Sequence, residues 1–484
     1  MRFGVVLYNL GKICLVLAAA MVLPMTFELV KREAVMGALL SAQLVMLGLG
    51  GGLLLLFKKD SKTPLRNRES CGIATFAWLL AGALGALPYI FSHTCSPVDA
   101  FFESLSGFTT TGSSILPDLE ALPSGILIWR GLTHWLGGMG IVVLLAALAS
   151  GNAANKMYKA EAPGNALTEK LAPKSDDMAQ ILWMTYVGIS ALLLVLLMLS
   201  GLNFVDALCH TFGTVSTGGF SSRNASMAAF DDNAVAQWLV VLFMALSGTN
   251  LAFYYLLFFK RRNYFWRSEE FRVYICIILL ASVAVTCSLL YNNYYPDRTL
   301  EYNIRQASFQ VVNIMTTTGF YSADYDLWPS FCRVVLFCLY FLGGCAGSTS
   351  GSVKISRWII TVKSCFANLN KTLQPRLVSS VKLDKKILPQ ATLNTVQVFL
   401  LIFFLLAGLG TLTMAAMGLS PFEAISVTLA ALTNVGPAFE SFGPTCNYTS
   451  LPAFAKMFLA FYMLLGRLEL MSVLVIFTRG FWRK

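Results

Sequence analysis

The feature that most constrains this chain is a series of apolar runs, each about as long as a bilayer is thick. Spanning the hydrocarbon takes ~20 mostly apolar residues, and about ten such runs begin near residues 4, 36, 71, 125, 178, 234, 270, 330, 392 and 452. Of 484 residues, 56% are hydrophobic and 13% charged, where soluble domains carry ~25% charged residues. This composition excludes a water-soluble fold and predicts an all-α polytopic membrane protein embedded in a lipid bilayer.

The net charge of +11 does not point to a nucleic-acid partner, because the basic residues sit in short connectors with no arm to track phosphates. Their placement reads as topology. Lys58, Lys59, Lys62, Arg66 and Arg68 form one basic connector, Lys260, Arg261, Arg262, Arg267 and Arg272 a second, and Lys371, Arg376, Lys382 and Lys385 lie in a third. By the positive-inside rule these face the cytoplasm. The alternate connectors lean acidic, with Asp118, Glu120, Asp231, Asp232, Asp297, Asp324, Asp326 and Glu440. Both termini are then expected in the cytoplasm. Arg2 before an apolar stretch ending in Ala18, Ala19 and Ala20 has the outline of a secretory signal, but Lys12 interrupts it, and a retained span keeps the charge pattern consistent.

The eleven cysteines fall mostly inside apolar runs and show no metal-site spacing. Cys95 and Cys446 are expected on the outer side, where pairing is open to them.

Four short segments align as internal repeats: DAFFESLSGFTTTGSS from Asp99, DALCHTFGTVSTGGFSS from Asp206, QASFQVVNIMTTTGFYS from Gln306 and PFEAISVTLAALTNVGPAF from Pro421. Each begins as a helix too short to span, the mark of a re-entrant segment. Gly112, Gly218, Gly319 and Gly436 recur at steps of 106, 101 and 117 residues, room for one span before and one after each loop. Small-residue sites at Gly138, Gly248, Gly344 and Gly466 follow at offsets of 26, 30, 25 and 30. The expected architecture is four pseudo-symmetric helix, pore loop, helix repeats around one pore, with two N-terminal transmembrane helices at the periphery. The boundaries read as 1–68 for that pair, then 69–175, 176–265, 266–390 and 391–484 for the repeats.

Non-helical backbone at membrane depth is tolerated only where protein encloses it, usually around a watered cavity. Four Gly-containing loops about one axis would turn carbonyls inward as a cage that replaces the hydration shell of a monovalent cation. Glycine permits the required backbone, and the negative ends of the short helices favour a cation.

The segments Thr109-Thr110-Thr111-Gly112, Val215-Ser216-Thr217-Gly218, Thr316-Thr317-Thr318-Gly319 and Thr433-Asn434-Val435-Gly436 resemble the four filter segments of the TrkH/KtrB/HKT superfamily of potassium transporters. Residues 343–351, GGCAGSTSG, resemble that family's intramembrane gating loop, Gly466-Arg467-Leu468-Glu469 its last-span motif, and Tyr158 to Gly164 a cytoplasmic connector. The resemblance covers essentially the whole chain. It implies that Thr110, Thr111, Gly112, Ser216, Thr217, Gly218, Thr317, Thr318, Gly319, Asn434, Val435 and Gly436 coordinate the transported potassium ion, with no organic cofactor. A glycine at every filter position goes with potassium preference in the family. The resemblance further implies uptake across the bacterial inner membrane, a homodimer with one pore per protomer, and a separate cytosolic TrkA-like ring of nucleotide-binding subunits. Connectors 150–177, 260–272 and 363–391 would be its docking surface.

Ionisable residues within spans are functional candidates, because centring one costs roughly 2.5 to 3.5 kcal/mol. Arg467 and Glu469, two residues apart, face different directions on a helix and need not pair, so Arg467 is expected to seek carbonyls or a carboxylate elsewhere. It reads as either a gate charge or an anchor between repeats. The third repeat is the irregular one: four glycines among residues 343–351 interrupt its post-loop helix, whereas the other post-loop spans are expected to run on. Gly344, Ala346, Gly347, Ser348, Gly351, Lys354 and Arg467 are the gate candidates, within a loop over 343–352. The loop lacks the G-x-x-x-x-G-K-[ST] pattern of a phosphate cradle. Lys354 either reaches the cytoplasmic boundary or joins the constriction. His134 and His210 read as packed, hydrogen-bonded residues, and Glu103 as a contributor to the field at the outer mouth.

No nucleophile, metal or acid-base constellation suggests an enzyme. A cation-coupled symporter using Na+ or H+ is the alternative to a pore, but such transporters build sites from inverted repeats, and these four repeats run in one orientation.

Overall fold

The computed structural model describes residues 1–31, 33–61, 63–140, 178–258, 264–374 and 380–482. The connector from Tyr158 to Gly164, the expected docking segment 150–177, and Lys62, Lys260, Arg261, Arg262 and Arg376 lie outside the described residues. Everything else is helix and loop apart from one hairpin, in which Lys382–Leu383 pairs antiparallel with Lys386–Ile387.

Among the described residues six helices are long and apolar enough to cross a membrane: Phe3–Lys31, Met36–Leu56, Asn67–Phe91, Ala179–Leu199, Glu269–Tyr291 and Gln390–Ala416. Two bent pairs raise the number to eight. Ala234–Ser247 turns into Leu251–Phe258 through 94°, and Ala453–Arg467 turns into Met471–Phe477 through 112°. The remaining two of the ten apolar runs give shorter helices, Ser124–Gly138 and Ser330–Leu339. The expectation that only the third post-loop span breaks is therefore corrected: the second and fourth break as well. Their breaks use Gly248-Thr249-Asn250 and a Glu469-Leu470 pair at positive φ, so the hydropathy of the run continues through the bend.

The two N-terminal helices cross where Gly11 and Gly50 meet, each so close to the other's backbone carbonyl that a Cβ would stand about 3 Å from it. Small residues at a crossing allow this approach in lipid. Only 22% of Met36–Leu56 is buried against 67% of Asn67–Phe91, which puts the former at the periphery.

Four pore helices, Pro97–Phe108, Phe204–Val215, Leu300–Met315 and Pro421–Thr433, descend into the centre. Each starts on a polar side chain that accepts the backbone N–H three residues on: Ser96 from Asp99, Asn203 from Asp206, Thr299 from Tyr302 and Ser420 from Glu423. A cap of this kind contributes about 1 kcal/mol. It also fixes where the helix begins, and with it the depth at which it ends.

Candidate functional site

All four pore helices end in one backbone device. Thr109, Ser216, Thr316 and Thr433 each donate a hydroxyl to the carbonyl four residues back, at 2.5 to 2.7 Å. The next residue, Thr110, Thr217, Thr317 or Asn434, is left-handed, with φ of 53°, 53°, 58° and 57°. The residue after that, Thr111, Gly218, Thr318 or Val435, donates its N–H to the carbonyl five residues back at 2.8 to 3.0 Å. This is a Schellman cap, which ordinarily takes glycine at its left-handed position. Holding β-branched threonine there costs of order 1 to 3 kcal/mol, strain of the kind that collects at working sites.

A left-handed glycine follows in each loop: Gly112, Gly219, Gly319 and Gly436, with φ of 83°, 82°, 88° and 96°. The geometry therefore shifts the second loop by one residue from the sequence alignment. Ser216 is the helix cap, Thr217 matches Thr110, Gly218 matches Thr111, and Gly219 rather than Gly218 is the left-handed glycine. A Cβ on Gly218 would collide with the His134 ring, which is why that position carries no side chain.

These glycines show how the loops meet. A Cβ on Gly112 would strike the carbonyl of Gly218, one on Gly219 that of Thr318, one on Gly319 that of Val435, and one on Gly436 that of Thr111. The contacts run from the first loop to the second, third and fourth and back to the first. They form a closed ring with a backbone carbonyl at every junction. The twelve residues expected in the filter all lie in or at the edge of this ring.

The side bearing the pore-helix N-termini opens into a cavity of about 160 Å³ lined by Gly112, Gly219, Gly319, Arg130, Arg223 and Tyr448, among others. Polar bridges join neighbouring repeats around it. The buried Glu103–Arg130 pair, at 2.6 Å, takes the Ile115 N–H and the Ser114 hydroxyl on the acid and gives an N–H to the Ser221 carbonyl, while Arg130 stacks on Phe220. Arg305 and Gln306 donate to Asp231, Asp326 accepts the Glu440 N–H, and Lys456 meets Asp99 at 2.7 Å. His134 is buried, bonded to the Gly107 carbonyl at 2.6 Å and stacked on Phe220, and His210 bonds the Asp206 carbonyl and Ser221.

On the opposite side of the ring lies the 343–352 loop, the product of the broken third post-loop helix. Its Thr349 hydroxyl reaches the Val215 carbonyl and Thr217 Oγ1, both at 3.2 Å. Gly351 N donates to Thr317 Oγ1 at 2.7 Å and Ser352 N to the Thr433 carbonyl at 2.9 Å. Gly344 N donates to Ser350 Oγ, Ser348 bonds Ser350, and Ala346 N donates to the buried carboxylate of Glu270. Gly347 has φ of 81° and packs on Asn250. Lys354 turns back onto the loop, with Nζ donating to the Ser350 carbonyl and to the Ser348 and Ser350 hydroxyls.

Arg467 closes the assembly. Its guanidinium donates to the Thr349 carbonyl at 2.7 Å and to the Gly137 and Gly138 carbonyls at 2.7 and 2.6 Å. Glu469 pairs instead with Arg357; the helix ends at Arg467 and Glu469 lies in the break at positive φ, so it is the bend that parts the two residues. The loop thus touches the second, third and fourth repeats directly and the first through Arg467. Thr349 and Glu270, central to these contacts, stand out in sequence only as one more polar residue of the loop and one more acid near a connector.

Three of the four small-residue sites that follow the loops have a common use. A Cβ on Gly138 would strike Ser216, one on Gly248 Thr316 and one on Gly466 the Leu432 carbonyl, whereas one on Gly344 would strike the Gly248 carbonyl, and in that repeat it is Gly351 that meets the Thr433 carbonyl. Through these glycines each post-loop segment is pressed onto a loop of the ring or the pore helix feeding it. Among the described residues no three His, Cys, Asp or Glu side chains converge on a metal-sized site. Carbonyls and hydroxyls line the centre.

Residues 40–483 match the family model TrkH, described as a cation transport protein. The chain is 35% identical over 489 residues to the Trk system potassium uptake protein TrkH of Escherichia coli (strain K12), with 100% of both chains covered. It is 29% identical over 484 residues to the TrkG protein of the same strain, covering 99% and 98%. The crystal structure of the potassium transporter TrkH from Vibrio parahaemolyticus superposes with a TM-score of 0.90 at 30% identity over 100% of both chains. The fold, its ring of four loops and these likenesses together place the chain in the TrkH family of cation transport proteins.

Proposed function

We propose that the chain takes up potassium across the bacterial inner membrane through a gated, channel-like pore. The observation that carries this reading is the closed ring, in which four left-handed glycines and the carbonyls they abut surround one axis at the negative ends of four helices. Such a cage replaces the hydration shell of a monovalent cation, and the relatives named above are potassium uptake proteins. The coordinating residues are Thr110, Thr111 and Gly112, then Thr217, Gly218 and Gly219, then Thr317, Thr318 and Gly319, then Asn434, Val435 and Gly436, with Ser216 as a supporting cap. Each repeat contributes one loop.

The same reading makes the 343–352 loop the gate, with Lys354 and Arg467 placing positive charge on the path and Thr349 latching the loop to the ring. A homodimer, a cytosolic nucleotide-binding ring acting on the connectors, and cytoplasmic termini complete the proposal. Deletion of residues 346–350 tests the gate. Rubidium flux into liposomes holding only this protein should rise severalfold, and unchanged low flux in a folded deletion variant would overturn the assignment.

A further inference from the structure

The helix Glu269–Tyr291 carries a carboxylate that the pore itself does not use. Glu270 is 7% exposed, and a single oxygen, Oε1, accepts the Ala346 N–H at 2.8 Å and the Ser356 N–H at 2.9 Å. Ala346 belongs to the first leg of the intramembrane loop, and Ser356 lies in the first turn of Ile355–Leu373, just beyond the second leg. One acceptor thus holds both legs. Two backbone bonds, Gly343 N to the Val353 carbonyl and Ile355 N to the Gly344 carbonyl, lie at the same base. One turn further along the helix, Tyr274 donates to the Ala245 carbonyl and packs on Gly248, whose own carbonyl accepts the Cys345 N–H.

The start of this helix is held from outside the pore. Asp384 Oδ1 accepts the Glu269 N–H at 2.7 Å, an acid on the positive end of the helix. Asp384 sits with Lys385 in the two-residue turn of the Lys382–Ile387 hairpin, both at positive φ. Lys363 ties the hairpin down, meeting Glu269 at 2.5 Å and the Lys382 carbonyl at 2.9 Å. Hairpin, helix start, Glu270 and loop are therefore consecutive links.

We infer that Glu270 is the positioning residue that clamps the intramembrane loop across the pore, and that the Lys382–Ile387 hairpin sets the clamp through Asp384. The inference rests on the loop being the gate. A pull on the hairpin displaces the first turn of the helix, and Glu270, one residue beyond the bond from Asp384, moves with it. The two loop legs then lose their common acceptor together, which makes release concerted. The exposed Lys382, Lys385 and Lys386 give the hairpin a basic surface on which an acidic protein can act.

Cys345, buried beside Ala346, reports the loop position. In the full-length chain in liposomes, its rate of maleimide modification, mapped by peptide mass spectrometry, is measured alongside rubidium flux. Glu270→Ala should speed Cys345 modification and raise flux by about tenfold each, the shift expected for loss of a hydrogen-bonded charged acceptor. Glu270→Gln keeps an Oε1 acceptor without the charge and should fall between wild type and Glu270→Ala in both readouts. Asp384→Ala should move both readouts in the direction of Glu270→Ala by a smaller factor, and it serves as the test should Glu270→Ala fail to fold. Monodisperse Glu270→Ala with unchanged Cys345 reactivity, or Glu270→Gln as disruptive as alanine, overturns the clamp. If deletion of 346–350 raises flux while Glu270→Ala does not, the clamp fails and the gate stands; if the deletion does nothing, the gate reading itself fails.

Discussion

Asn434 Nδ2 donates to Thr111 Oγ1 at 2.9 Å, and this contact closes the fourth loop onto the first. The same amide donates to the Met463 carbonyl at 2.9 Å, so one side chain joins the ring to the helix that ends in Arg467. Asparagine is also the residue after glycine that best tolerates a left-handed backbone. Asn434→Ala removes both bonds, a loss of about 1 to 3 kcal/mol. Thermal unfolding in detergent should shift down, and potassium over sodium preference should fall in the liposome assay.

Gly218 and Gly219 separate by the neighbours their side chains would meet. Gly219→Ala drives a methyl into the Thr318 carbonyl and the Gly319 backbone at a φ of 82°, so selective flux should be lost. Gly218→Ala meets the His134 ring instead and should chiefly lower stability. His134→Ala in the same chain should recover the folded yield of Gly218→Ala and should not recover the flux of Gly219→Ala.

Arg467 holds three carbonyls with a planar fork, which lysine cannot copy. Arg467→Lys keeps the charge but loses the bridge between Thr349 and Gly137-Gly138. If the bridge holds the gate shut, Arg467→Lys and Arg467→Ala should both raise basal rubidium flux. A rise only in the alanine variant would assign the effect to charge.

The Glu103–Arg130 pair, 0% and 3% exposed, is the kind whose halves are worth least alone. Arg130→Met leaves a buried carboxylate and should destabilise by about 3 to 5 kcal/mol, whereas Glu103→Leu with Arg130→Met should recover part of the loss, the Ile115 N–H and Ser221 carbonyl still losing these partners. Chemical unfolding of Arg130→Met, Glu103→Leu and the double variant measures the coupling.

The helical architecture, the four repeats and the meeting of the loops were legible from apolar length and the spacing of small residues. The register of the second loop was not, because Thr217-Gly218-Gly219 offers two glycines and only the backbone angle tells them apart. The breaks in the second and fourth post-loop helices were hidden for a related reason. Glu469 and Leu470 take positive φ with no glycine or proline to mark the turn, held there by the Arg357 pair and by packing. Glu270 was hidden because its value lies in which distant N–H groups it meets. Arg467, by contrast, was exposed by its own cost in an apolar run, and it found the carbonyls such a charge requires.

The most direct measurement is ion flux into liposomes that contain only this protein, wild type and lacking 346–350, with potassium, rubidium and sodium compared in one preparation. A four-loop filter predicts flux driven by the ion's own gradient, with potassium and rubidium well ahead of sodium and the deletion faster than wild type. Potassium flux that appears only with an opposing or accompanying sodium or proton gradient, or equal flux of potassium and sodium, would contradict it.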